Sequence, residues 1–401
     1  KEKTQDLRKT IRRKIMFCEN CGIEITDDNQ KFCHKCGTPL RGRQEQGSQK
    51  KASRFKAFVG EKGMIELHFR DIFSGITKHH EPEEVEKLFL CGTSTTTPKE
   101  KDIITEWPKP WLYSRVLLLF LLMYFALEYM WKTYQNDIGL INIPVIGTLL
   151  MPITCMILLF ELNVPRNISI AKVGKVFFIG GICSLLCAMI YFTIMPMSTT
   201  SDIKYAILIG IGEEAAKLLI CAYFISKHQG RLFLLNGILY GGAVGVGFAV
   251  FESIGYAFRF GIIEGINQIL KIIQNQQMPD IMNFYHAFYV EMKKVMEIRG
   301  FLAPGGHIAW AAVEGFAIVL ALEGAKFTWN VLAKEKFLKI VWIPIVLHSI
   351  WDMPILEQDI RGIPVKYIIL MVIILVLLLV FVNEGMKEVV EVQRRAVEQE
   401  E

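Results

Sequence analysis

Glu213, Glu214 and Lys217 lie in the run Gly210-Ile211-Gly212-Glu213-Glu214-Ala215-Ala216-Lys217, inside a segment apolar enough to span a bilayer. Each ionisable group at the bilayer centre costs roughly 2.5–3.5 kcal/mol on insertion scales, so residues of this kind pack inward and mark function. On a helix Lys217 stands four residues from Glu213 and three from Glu214, and it reaches either one. The two carboxylates point about 100° apart, so one can face a cavity while the other supports it. Two acids this close compete for a proton, which suits one of them to general-base work. The rival reading is an internal salt bridge that only neutralises the helix.

Later apolar segments supply candidate partners. Glu252 follows Phe248 by four residues in GILYGGAVGVGFAVFESIGY (237–256). His307 follows Pro304-Gly305-Gly306, and His348 and Asp352 are four apart, on one face of a helix. Each has a plainer reading: a snorkelling carboxylate, an interfacial helix-start histidine, a self-satisfied His–Asp pair. Taken together, carboxylates and imidazoles inside a membrane predict acid–base chemistry on a lipid-embedded substrate. His34, His79 and His80 are assigned no role. There is no HExxH, GxGD or GxSxG motif. That leaves water activated by a carboxylate, with no catalytic cofactor expected. A metal held by the same Glu and His residues is the minority reading.

The chain that positions these residues has 401 residues, 52% of them hydrophobic, and a net charge of +5. That composition excludes a disordered chain and argues against an ordinary soluble enzyme. The mild positive charge suits cytoplasmic loops and carries no nucleic-acid signal. Spans are predicted near 112–131, 139–160, 173–195, 204–225, 233–258, 305–322, 338–356 and 365–383. The expected fold is therefore an all-α polytopic membrane protein of about eight helices. The fourth, sixth and seventh spans are the least apolar, as cavity-lining helices would be. Gly237, Gly241 and Gly245 recur every four residues, a small-residue face that lets another helix approach closely.

Orientation follows from the Lys/Arg bias. Arg166, Lys172, Lys175, Lys227, Arg231, Lys326, Lys334, Lys336, Lys339, Lys387, Arg394 and Arg395 fall on one side, whereas Lys132, Lys204, Arg361 and Lys366 fall on the other. Both termini are thus expected in the cytoplasm. The stretch 259–303 reads as an outer amphipathic loop able to lie on the membrane surface. The first fifteen residues are basic and polar, which predicts no signal peptide.

Ahead of the spans, Cys18-x-x-Cys21 and Cys33-x-x-Cys36, each pair followed by a glycine, predict a closed four-sulfur structural zinc ribbon over 17–40. The rival is a redox dithiol. The other five cysteines form no disulfide framework. Residues 41–52 read as a linker and 53–110 as a juxtamembrane subdomain, with a strand over 64–69 and a helix from Pro82 to Leu90. The membrane domain is set at 111–385 and a cytoplasmic tail at 386–401.

The motifs EExxK (Glu213, Glu214, Lys217), FxxxE (Phe248, Glu252), a lone histidine (His307) and HxxxD (His348, Asp352), in that order on successive spans, resemble the PrsW family of intramembrane proteases. The stretch 160–168, FELNVPRNI, resembles that family's loop after an early span. The likeness covers about 110–385. Related prenyl endopeptidases carry EExxxR and FxxxH, from which Lys217 and Glu252 depart. The resemblance implies a glutamic-type protease in which Glu213 activates water and Glu214 supports it. His307 and His348 would polarise the scissile carbonyl, and Asp352 would orient a histidine or hold the water. It also implies a single-pass membrane protein substrate, such as an anti-sigma factor. The alternatives are a proton-coupled carrier, for which no internal repeat is visible, a prenyl-protein endopeptidase, and a non-catalytic receptor signalling through its zinc ribbon.

Overall fold

The computed structural model describes residues 16–17, 24–25, 70–195, 202–356, 358–360 and 363–399. The chain divides into a unit of Lys1–Lys62 and one of Gly63–Glu401. In the first, Met16–Phe17 pairs antiparallel with Glu24–Ile25. The four cysteines expected to bind zinc, the linker 41–52 and the strand expected over 64–69 lie outside the described residues.

The second unit is helical. Short helices α1 (Asp71–Ser74) and α2 (Pro82–Phe89) precede the membrane region. Pro82 opens α2, where its missing N–H costs nothing. Then follow α3 (Leu112–Tyr134), α4 (Asp137–Leu162), α5 (Ile170–Ile194, with a π-helical turn at Val176–Gly180) and α6 (Ile203–Ser226). After these come α7 (Leu234–Gln274), α8 (Ile281–Leu302), α9 (His307–Leu322), α10 (Glu335–Asp352) and α11 (Val365–Glu398). Ser169, Asp202 and Asp280 accept first-turn N–H groups at the starts of α5, α6 and α8.

All eight segments expected to cross the membrane are helical. Six described stretches are long and apolar enough to do so: α3, α4, α5, α7, the α8–α9 pair and α11. The other two, α6 and α10, carry Glu213, Glu214 and Lys217, and His348 and Asp352. Their charges set them apart, as expected of the fourth and seventh spans; the sixth, α9, was expected to join them but is apolar enough to count among the membrane-length stretches.

Helix α7 is the axis of the bundle. It is apolar on every side, and every residue from Leu234 to Val250 is buried. Its glycine face meets α9 running antiparallel: a Cβ added to Gly237 would stand 2.3 Å from the Gly315 carbonyl oxygen, at Gly241 1.9 Å from that of Ala311, and at Gly245 2.3 Å from that of His307. No residue but glycine permits this approach. The four-residue repeat thus does what its spacing predicts, at a helix-propensity cost of roughly 0.8–1.0 kcal/mol per glycine.

The stretch 160–168 anchors one end of the bundle, at the start of α3. Glu161 accepts N–H hydrogen bonds from Trp111 (2.8 Å), Leu112 (2.9 Å) and Tyr113 (2.9 Å), capping α3 from another helix. Asn236, in the first turn of α7, donates to Asn163 (2.8 Å) and to Asn167 (2.7 Å). Gln393 near the end of α11 donates to the Lys101 carbonyl (3.3 Å), so α3 begins and α11 ends at this same end.

Two boundaries differ from the sequence expectation. The stretch 259–303 is not a separate surface loop. Helix α7 continues unbroken to Gln274, and α8 returns antiparallel along it, with Phe288 against Gly261 and Phe284 against Gly265. Its apolar side chains Ile262, Ile263, Ile266, Leu270 and Ile273 are exposed. The expected tail likewise continues α11 to Glu398, and Met386, Val389 and Val392 are buried. In both cases the helix continues past the expected boundary because one of its faces still packs.

Candidate active site

Helices α6, α7, α9 and α10 converge away from the anchored end. Glu213 lies ten residues, about 15 Å, into α6; His307 opens α9; His348 and Asp352 fall in the last turns of α10. Close approach makes the convergence possible. At Gly210 of α6 a Cβ would stand 2.5 Å from the hydroxyl oxygen of Ser349, next to His348.

All six candidate catalytic residues and Lys217 meet here. Lys217 is fully buried and chooses Glu214 of its two possible partners, donating to Glu214 Oε1 at 2.5 Å. Its ammonium also lies 3.0 Å from His307 Nδ1 and faces the rings of Phe248 (4.9 Å) and Trp310 (5.6 Å). The internal salt bridge is therefore real, and it leaves Glu213 out. Glu213 Oε2 is buried without a hydrogen-bond partner. It stands 3.6 Å from His348 Nε2 and 4.0 Å from His307 Nδ1.

Each imidazole carries a carboxylate on its other nitrogen. His348 Nδ1 donates to Glu214 Oε1 (2.5 Å), and His307 Nε2 meets Glu252 Oε2 (3.0 Å). Glu252 is thus no snorkelling carboxylate. His348 Nε2 is also 3.4 Å from Asp352 Oδ2. The two rings lie 5.1 Å apart at 78°, and Trp310 stacks on His348 at 4.5 Å. Sequence reasoning missed Trp310.

It also missed two charged residues. Arg299 of α8 pairs with Glu252, donates to Ser253 (3.2 Å) and covers the Tyr256 ring at 4.6 Å. It was hidden in what read as an outer loop. Glu314 of α9 is fully buried beside Glu214, and neither of its oxygens has a hydrogen-bond partner. Its signal was available: it follows His307 by seven residues, two turns along the same face.

Side-chain exposure rises across the cluster from 0% at Glu214 and 3% at His348 to 14% at His307, 27% at Asp352 and 28% at Arg299. The site therefore opens towards the end where α9 begins and α10 ends. A cleft of about 100 Å³ reaches His307 there, between Ser253, Arg299, Leu302, Trp351 and Tyr367.

The donor set fits a divalent ion. Ligand atoms of Glu213, His307 and His348 lie within 4.8 Å of one another. Around an ion bound at about 2.0–2.2 Å, ligand atoms stand roughly 3–4 Å apart. The unbonded Glu213 oxygen and the two carboxylate-backed imidazoles are what such a centre requires.

A bundle of membrane-length helices closed around a buried carboxylate–imidazole cluster defines a polytopic membrane protein with a candidate catalytic centre. Residues 170–380, more than half of the chain, match the PrsW family intramembrane metalloprotease model, and the chain belongs to that family. It is therefore an intramembrane protease, acting on peptide bonds. No curated protein and no solved structure matches it. The family's description as a metalloprotease runs against the expectation that catalysis needs no metal.

Proposed function

We propose that the protein is a metal-dependent endopeptidase that cuts a single-pass membrane protein near one face of the bilayer. The carrying observation is the gap between Glu213 Oε2, His307 Nδ1 and His348 Nε2, three buried donor atoms with no bond to one another. Glu213, His307 and His348 would hold the ion, which supplies Lewis acidity and an acidified water. Glu214 and Glu252 take the far N–H of each imidazole, keeping the near nitrogen's lone pair turned to the gap. Lys217 offsets the charge of Glu214 in a region where an unpaired carboxylate is costly. With Glu213 engaged, the acid–base role falls to Asp352, the most exposed carboxylate of the set and adjacent to His348. Substrate enters from the Asp352 side. By the Lys/Arg bias this is the extracytoplasmic side of a bacterial plasma membrane, with both termini in the cytoplasm.

A second reading, the glutamic one, draws on Lys217. Its ammonium already occupies His307 Nδ1, so the same gap suits a water held by Glu213 and the two imidazoles. One experiment separates the two: cleavage of single-pass proteins, anti-sigma factors among them, in proteoliposomes by wild type and Glu213→Gln, with and without chelator. Cutting that chelator abolishes and zinc restores supports the metal centre. Chelator-resistant cutting lost in Glu213→Gln supports the glutamic reading, and full activity of Glu213→Gln overturns both.

A further inference from the structure

The second half of α7 and α8 form an antiparallel hairpin, and its register brings Arg299 level with Glu252. Three groups of α7 hold the guanidinium: the Glu252 carboxylate, the Ser253 hydroxyl at 3.2 Å and the Tyr256 ring face at 4.6 Å. Nothing in bilayer stability calls for this pair, since replacing a buried ion pair by apolar residues of similar volume is often neutral or stabilising. Its consequence lies one atom further on. The Glu252 oxygen that takes the Arg299 N–H is also the one 3.0 Å from His307 Nε2.

We infer that Arg299 is a positioning residue for His307: by holding Glu252 as a fixed acceptor it sets, together with Lys217 on the other side of the ring, the imidazole tautomer that turns Nδ1 to Glu213. An ionised carboxylate accepts only, so a carboxylate that faces Arg299 requires the proton of His307 on Nε2. The Nδ1 lone pair is then turned to the Lys217 ammonium, 3.0 Å away, and to the gap beside Glu213, 4.0 Å away. Without the guanidinium, Glu252 faces His307 alone. The Lys217 ammonium at Nδ1 then holds the tautomer alone, the carboxylate can turn away, and the ring loses its fixed orientation and one of the two groups that set its tautomer. Arg299 also forms a wall of the cleft that reaches His307, so the substrate passes the residue that orders the ring.

The inference rests on the site proposed above, and its test keeps the two apart. Wild type, Arg299→Met, Arg299→Lys, Glu252→Gln and Glu213→Gln are compared for cleavage. Nitrogen NMR of histidine-labelled protein in detergent reads the tautomer, with the His307 signal assigned by its loss in His307→Gln. In wild type, His307 is expected as the Nε2–H form. Arg299→Met should give a mixture of tautomers and a 10- to 100-fold fall in kcat with little change in KM, the range for outer partners of active-site histidines. Arg299→Lys, a point charge without the fork, should fall between the two. Arg299→Met combined with Glu252→Gln should be no worse than the poorer single variant. An unchanged tautomer and kcat in a folded Arg299→Met overturns the inference. If that variant does not fold, wild-type kcat and tautomer in Arg299→Lys overturn it. Full activity in Glu213→Gln would instead sink the site itself.

Discussion

Gly245 touches no substrate, yet its lack of a side chain should control catalysis. In Gly245→Ala the new Cβ would stand 2.3 Å from the His307 carbonyl oxygen and 2.9 Å from the Ala311 Cβ. Ordinary contact begins near 3.4 Å, so the first turn of α9 must retreat from α7 by about 1 Å, a displacement that by itself costs about 100-fold in rate. Stability should change far less. Alanine is favoured over glycine within a helix by roughly 1 kcal/mol, against about 1–3 kcal/mol for overpacking. The variant should therefore fold, lose at most about 2 kcal/mol in detergent, and cut about 100-fold more slowly in proteoliposomes. The control is on the same helix: at Gly255 a Cβ meets nothing within 4 Å. Gly255→Ala should keep wild-type kcat and gain about 0.5–1 kcal/mol. Wild-type kcat in Gly245→Ala would refute the claim that the glycine face sets the place of His307.

Glu314→Gln should change stability by less than about 1 kcal/mol, because the amide keeps the shape of the carboxyl and a donor beside Glu214; a loss of more than about 3 kcal/mol on thermal denaturation refutes this. His228, in the loop between α6 and α7, is held by burial and by the Lys172 ammonium at about 4, below the usual histidine value. The neutral ring meets Tyr240 Oη at 3.0 Å and the Arg231 carbonyl at 3.2 Å. Since its folded value is depressed, its contribution is complete above about pH 6.5 and is lost as pH falls towards 4, about 1–3 kcal/mol in all. Denaturation in detergent at pH 7 and pH 4 should show that loss in wild type and much less of it in His228→Gln; equal slopes refute the assignment.

The spans and the ionisable residues inside them were legible along the chain because each is a local property. Apolar runs of bilayer length, a four-residue glycine repeat and ionisable groups inside hydrocarbon need only one helix to be recognised. That logic singled out Glu213, Glu214, Glu252, His307, His348 and Asp352, which the fold brings together, and it set α6 and α10 apart, though wrongly α9 with them. It failed at 259–303 and 386–398, where helices continue past the expected boundaries because one face of each still packs against another helix.

What the sequence by itself determined is therefore the inventory: a helical membrane protein whose glycine-faced axis and buried acids and imidazoles suit hydrolysis. Only the tertiary structure decided their partnerships. Helical spacing allowed Lys217 either glutamate; packing against Phe248 and Trp310 turned it to Glu214 and left Glu213 Oε2 unbonded. Which nitrogen of each histidine faces that oxygen depends on Glu214 and Glu252, residues 134 and 55 positions away in the chain. Arg299 and Glu314 join the cluster through the pairing of α7 with α8 and of α9 with α6. Periodicity says which face of a helix is buried, but the meeting of two faces is set by register and closeness between helices, which no single segment encodes.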